Sequence, residues 1–235
     1  MAGMMIALAT TAAFSQTEPA KPAAKANPRV KLETTLGNIV IELDVEKAPI
    51  TTANFLQYTR DKYYDGTIFH RVMPEFVIQG GGYSEALDEK KTGLRPGIKN
   101  EWQNGLKNVK GSLSMARSSN PDSATSQFFI NVKDNANLDD GANPAYGGAA
   151  YAVFGKVVEG MDVVEKIRTT ETKSDPKLPM GKVVPVTPVV IKTATVVGEA
   201  APAAAAPKLE PKKPEAVPAP APKKPEDKPE PKKDH

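Results

Sequence analysis

The sequence predicts a mainly β fold with two helices, of the kind that packs as an antiparallel barrel. Apolar and polar residues alternate with a period of two in six to eight segments between residues 29 and 197. Only two stretches, around residues 51–63 and 161–168, carry helical patterning. Two helices set far apart among strands fit one antiparallel sheet with helices laid on it. Periodicity alone leaves closure of the sheet open.

The elements follow in order. Val30, Leu32 and Thr34 alternate with polar partners; after a turn at Leu36-Gly37, Ile39, Ile41 and Leu43 alternate again, which is a hairpin. Pro49 breaks the strand, and Thr51 or Thr52 is placed to cap a helix whose stripe is Ala53, Phe55, Leu56 and Tyr63. Asp65-Gly66 is a turn signal before a strand at 67–72. Gly80-Gly81-Gly82 and the polar run to Asn108 read as irregular loop. Strands are expected at 112–116 and 127–132, joined by SSNPDSAT, and at 151–158, with a Gly/Asn-rich excursion between the last two. Gly160 precedes the helix MDVVEKIR, and residues 185–197 close the run with VIKTATV.

Composition removes much of ordinary enzyme chemistry. The 235 residues include no cysteine, so disulfides, thiolate metal sites and a cysteine nucleophile are excluded. The two histidines are His70 and the terminal His235, too few for the usual zinc ligands. A net charge of +3 is spread along the chain and marks no nucleic-acid surface. No metal, cofactor or covalent intermediate is expected.

The ends stand outside the fold. Residues 1–15, MAGMMIALATTAAFS, are apolar and of signal-peptide length, with small residues permitting cleavage before Gln16. They are too short for a membrane span, which takes ~20 residues. No Lys or Arg precedes the apolar run. The expectation is export to the periplasm or medium, or a cytoplasmic protein if the leader is no signal. Residues 16–28 read as a linker and 29–198 as the domain. Residues 199–235 form an Ala/Pro/Lys/Glu-rich tail holding ten of the 22 prolines, with eight lysines against seven acids. Such a tail buries too little to offset its ordering entropy and is expected to be a disordered spacer. Docking to a cell-envelope component is the alternative.

Two stretches concentrate chemistry. Residues 69–82, FHRVMPEFVIQGGG, mix apolar bulk with an arginine and a glutamine, and residues 114–132 read SMARSSNPDSATSQFFINV. In the second, Gln127 and Phe129 share one face of a strand while Phe128 and Ile130 share the other. These motifs, with VFGKVVEGMDVVEKI at 153–167, resemble the cyclophilins, peptidyl-prolyl cis-trans isomerases, over residues 29–197, and most closely the short bacterial, often exported branch. The resemblance implies a closed eight-stranded antiparallel barrel capped by two α-helices.

It also implies rotation about X–Pro bonds and assistance to folding. Amide resonance sets a barrier of ~18–20 kcal/mol, so the uncatalysed step takes tens to hundreds of seconds. Twisting returns the lone pair to the prolyl nitrogen, and a guanidinium aimed there binds the transition state better than either planar form. By resemblance Arg71 is that donor, Gln79 positions it, and Phe76 lines the proline pocket with Val77, Phe129 and Leu138. Gln127 belongs to the same groove, Ala116 and Arg117 match the edge that pairs with the substrate backbone, and Tyr151 stands at the rim. His70 is expected to be structural, because isomerisation moves no proton. The implied partners are proline-containing unfolded or extended polypeptides, met by a monomer. By the same resemblance Val77 stands where many relatives have methionine, Arg117 replaces an asparagine, and Tyr151 replaces a histidine of the best-known eukaryotic members. Asn137 replaces a tryptophan that grips cyclosporin, so weak cyclosporin binding is expected. Residues 139–150 look like an insertion beside the groove.

Overall fold

The computed structural model describes residues 27–143 and 147–199. The expected leader, the tail beyond Glu199 and most of the linker lie outside the described residues. Strand β1 (Arg29–Thr34) pairs antiparallel with β2 (Gly37–Leu43) as the predicted hairpin, Val30 opposite Ile41 and Leu32 opposite Ile39. Helix α1 (Pro49–Arg60) leads to β3 (Thr67–Val72) and β4 (Val77–Ser84). A long connection precedes β5 (Ser112–Met115) and β6 (Phe128–Asn131); β7 (Val153–Glu159) and α2 (Met161–Arg168) follow. The chain ends in β8 (Thr172–Lys173), β9 (Val184–Pro185) and β10 (Val190–Val196).

Eight of these strands close into a barrel in the order β1-β10-β3-β4-β6-β5-β7-β2, and β8 with β9 forms a separate ribbon. Closure is long-range, since β10 pairs antiparallel with β1 and sets Val196 opposite Val30. The predicted eight-stranded antiparallel barrel with two helices is what the chain forms. Its interior holds a cluster of rings. Phe55 of α1 meets Phe128 edge-on at 5.4 Å and Phe154 at 5.2 Å, while Tyr64 meets Phe128 edge-on at 5.5 Å. Val163, Val164 and Ile167 of α2 join the same core.

Three local expectations need correction. Gly80, Gly81 and Gly82 are not loop but part of β4. They are glycines because the barrel is crowded there. A Cβ on Gly80 would lie 3.1 Å from the Phe69 ring, one on Gly82 2.5 Å from Gln127 Cγ, and Gly81 has φ +82°. Neither Thr51 nor Thr52 caps α1. Pro49 opens the helix, as its missing N–H allows. The carboxylate of Glu101 accepts instead from the Ile50 and Thr51 N–H groups at 3.0 and 2.8 Å. The buried face of α1 is also different. Ala53 is exposed, Tyr63 lies beyond the helix, and Thr52, Tyr58 and Thr59 are buried beside Phe55.

Candidate active site

Arg71 reaches the outer face of the barrel through a defect in pairing. Strict alternation would put Phe69 and Arg71 on one side. The β3–β4 register runs Phe69 opposite Gly80 and then Arg71 opposite Gln79, so two residues of β3 are matched by one of β4. This bulge keeps Phe69 and Val72 in the core and turns Arg71 outward. Where β4 pairs with β6, from Val77 to Gly80, both strands keep their period. Ile78, Phe128 and Ile130 face the core, while Val77 and Phe129 form an outer apolar cluster with Leu138. The parity expected for Phe128/Ile130 against Phe129 is therefore observed.

Nine of the ten predicted site residues line one groove of about 430 Å³. Val77, Phe129 and Leu138 make its floor, with exposures of 1, 4 and 3%. Phe76, Ala116 and Tyr151 pack against that floor. The tenth residue, Gln127, enters through a relay. Arg71 Nη1 donates to Gln79 Oε1 at 3.1 Å, and Gln79 Nε2 donates to Gln127 Oε1 at 2.9 Å. Arg71 Cζ lies 5.9 Å from the centre of the Phe76 ring. Among the described residues no carboxylate pairs with Arg71, and its Nε is buried without a hydrogen-bond partner. Burial lowers its pKa from the usual arginine value, opposed in part by Tyr151. A desolvated cation with unspent donors over an apolar floor is suited to polarise a group that enters the groove.

The rim holds more than the sequence shows. The Arg117 guanidinium lies 4.6 Å from the centre of the Tyr151 ring, and its Nη2 donates to the carbonyls of Ala149 and Ala150. Tyr151 in turn meets Phe129 edge-on at 5.6 Å. The side chain of Arg117, and not only its backbone, thus fastens one wall. The Tyr151 N–H bonds the Leu138 carbonyl at 3.0 Å, so residues 139–150 leave and re-enter at the groove edge.

Two features escaped sequence reasoning. Met180 lines the groove from the segment before β9. A buried network holds the walls: Asn135 Nδ2 donates to the Phe76 carbonyl at 2.9 Å and to Asn131 Oδ1 at 2.7 Å, and Asn131 Nδ2 donates to Asn108 Oδ1 at 3.1 Å. An asparagine ending the apolar run FFIN was the available signal for the network, since a buried amide needs partners. Met180 left no such signal. His70 does not line the groove. Its ring packs on Tyr83 at 4.5 Å, is 1% exposed, and has its pKa lowered to about 4 by burial first and by the Arg71 charge second.

Barrel and groove together define a class: a closed antiparallel barrel carrying on its outer face an apolar groove with a placed arginine. Residues 29–196 match the family described as cyclophilin type peptidyl-prolyl cis-trans isomerase/CLD. The peptidyl-prolyl cis-trans isomerase of Acinetobacter baylyi is 56% identical over 151 residues, covering 64% of this chain and 77% of that one. Peptidyl-prolyl cis-trans isomerase A of Dickeya dadantii is 46% identical over 194 residues, 83% and 97% of the two chains. A Cryptosporidium parvum cyclophilin type isomerase, crystallised in the presence of the dipeptide Ala-Pro, superposes with a TM-score of 0.56 at 27% identity, over 73% of this chain and 99% of that one. The chain belongs to the cyclophilin-type peptidyl-prolyl cis-trans isomerases and carries that activity.

Proposed function

We propose that Arg71 catalyses the rotation by donating to the prolyl nitrogen as the amide twists, while the floor of Val77, Phe129 and Leu138 grips the ring. One observation carries the reading: a half-buried guanidinium, held by Gln79, whose buried Nε has no hydrogen-bond partner and which has no carboxylate partner among the described residues. The planar amide offers it a poor acceptor and the twisted amide a good one, so the interaction strengthens where the barrier lies. Phe76 closes the pocket beside Arg71, Gln127 steadies Gln79, and the Ala116–Arg117 edge and Tyr151 bound the substrate backbone.

The substrates under this reading are unfolded or extended proline-containing segments of exported proteins, whose folding the enzyme assists. The solved relative studied with Ala-Pro supports the proline-containing class. The apolar leader supports export, and no helix among the described residues is long and apolar enough to cross a membrane. Cyclosporin binds weakly in this reading, since Asn137 supplies no indole to grip it. Turnover of an Ala-Pro peptide by wild type and Arg71→Ala tests the mechanism. Loss of about 10²–10³ in kcat/KM with unchanged circular dichroism is expected, the size seen when one preorganised donor is removed. Equal turnover by the two proteins would overturn it.

A further inference from the structure

Met180 is a large apolar side chain that the fold holds in the open. It is 47% exposed and belongs neither to the groove floor nor to the small cluster beneath it. Its backbone is nevertheless well anchored. Leu178, two residues earlier, is 5% exposed and packs with Val183 and Val184 against Met73 and Tyr83. The Met180 N–H bonds the Leu178 carbonyl at 2.7 Å, and Val72 N–H bonds the Val183 carbonyl at 2.7 Å. Residues 178–183 are thereby tied to the end of β3.

That tie fixes where Met180 stands. The sheet order β3-β4-β6-β5 lays Arg71, Gln79, Phe129 and then Ala116, just past β5, across the groove. Met180 lies beyond β3, at the opposite side from Ala116 and Arg117, and lines the same groove. A chain that pairs with the Ala116–Arg117 edge and sets its proline on the floor continues past Arg71 to the thioether. Anything apolar arriving there removes exposed surface of Met180 from water.

We propose that Met180 is a specificity-determining residue, which selects substrates with an apolar side chain flanking the proline on the side away from the Ala116–Arg117 edge. The inference rests on the isomerase reading of the same groove. An unbranched, polarisable side chain adapts to many apolar shapes, so Leu, Phe and Met at that flank are accepted alike, and Lys or Glu are not. Half-exposure limits the gain to about fivefold, part of what full burial of a methionine is worth.

Two-dimensional exchange NMR on peptides Ala-Xaa-Pro-Yaa-Ala, needing no coupled protease, measures this. Xaa and Yaa are varied separately over Gly, Leu, Phe, Lys and Glu, with full-length wild type, Met180→Gln and Met180→Leu. The expected wild-type result is a Leu/Gly ratio of kcat/KM of about five at one flank only. Met180→Gln brings that ratio near one, and Met180→Leu restores it. A wild type without apolar preference at either flank, or a ratio that Met180→Gln leaves intact, overturns the inference. Absence of turnover on every peptide, the Gly-flanked one included, would instead sink the isomerase reading itself.

Discussion

Two neighbours on β3, His70 and Arg71, leave water together, and the same desolvation lowers both pKa values. The consequences differ because the starting points differ. Arginine begins so high that it keeps its charge through the working range, so turnover should be flat between about pH 6 and 9. His70 begins at 6.5 and falls to about 4, which makes it neutral in the folded protein and a cost to stability in acid. Between those values the unfolded chain binds a proton that the folded chain refuses. Stability is whole above pH 6.5 and is lost as pH falls towards 4, by up to about 1.4 kcal/mol per pH unit. Urea midpoints of wild type and His70→Leu across pH 4–7 check this; the variant should lose that part of the slope, and equal slopes would contradict the account. At this scale the sequence was legible wherever period two held. Phe129 could be placed opposite Phe128 by counting, but Arg71 faces the groove only because a bulge breaks the count, and nothing in FHRV announces a bulge.

Strand β4 shows how two adjacent glycines serve different ends. Gly81 has φ +82°, and a Cβ there would lie 3.0 Å from ring atoms of Phe128 and Tyr64, both buried. Neither ring can yield without opening the core. Gly81→Ala should therefore cost about 1–3 kcal/mol of stability. Gly82 has no such φ, and its added Cβ would meet the side chain of Gln127 at 2.5 Å. Gln127 can move, at the expense of its bond from Gln79, so Gly82→Ala should chiefly lower kcat/KM, by about tenfold to hundredfold. Urea midpoints and peptide turnover on both variants separate the two effects, and the reverse pattern would show the crowding misread. A glycine run looks like loop because glycine is the usual residue of turns; its other use, close approach of side chains from elsewhere, depends on Phe128 and Gln127, which lie more than forty residues on. The cap of α1 was hidden for the same reason. Glu101 supplies it from a segment fifty residues away, whereas Thr51 and Thr52 fit a cap only by local pattern.

Closure is the property of the whole chain, and it ties function to the ends of the domain. β1 opens the barrel and β10 completes it, flanked by β1 on one side and β3 on the other. Residues 29–196, the span that matches the family, are also the span between the first residue of β1 and the last of β10. Alternation in VIKTATV made the last strand legible, but only the resemblance implied its partner, because pairing across 160 residues leaves no trace in a local pattern. A chain trimmed to residues 27–199 keeps every barrel strand and the exposed Arg60–Glu199 ion pair, so it should unfold at the same urea midpoint and turn over Ala-Pro peptides as the full chain does. A chain trimmed to 27–189 loses β10 and leaves β1 and β3 as open edges, which should leave it unfolded or aggregated. Cell fractionation of the same forms separates folding from address. Under the export reading the full chain is periplasmic and the 27–199 form, lacking the leader, remains in the cytoplasm with its activity intact. Loss of turnover in the 27–199 form would show that the linker or tail contributes to the site, and identical location of the two forms would count against residues 1–15 as the export signal.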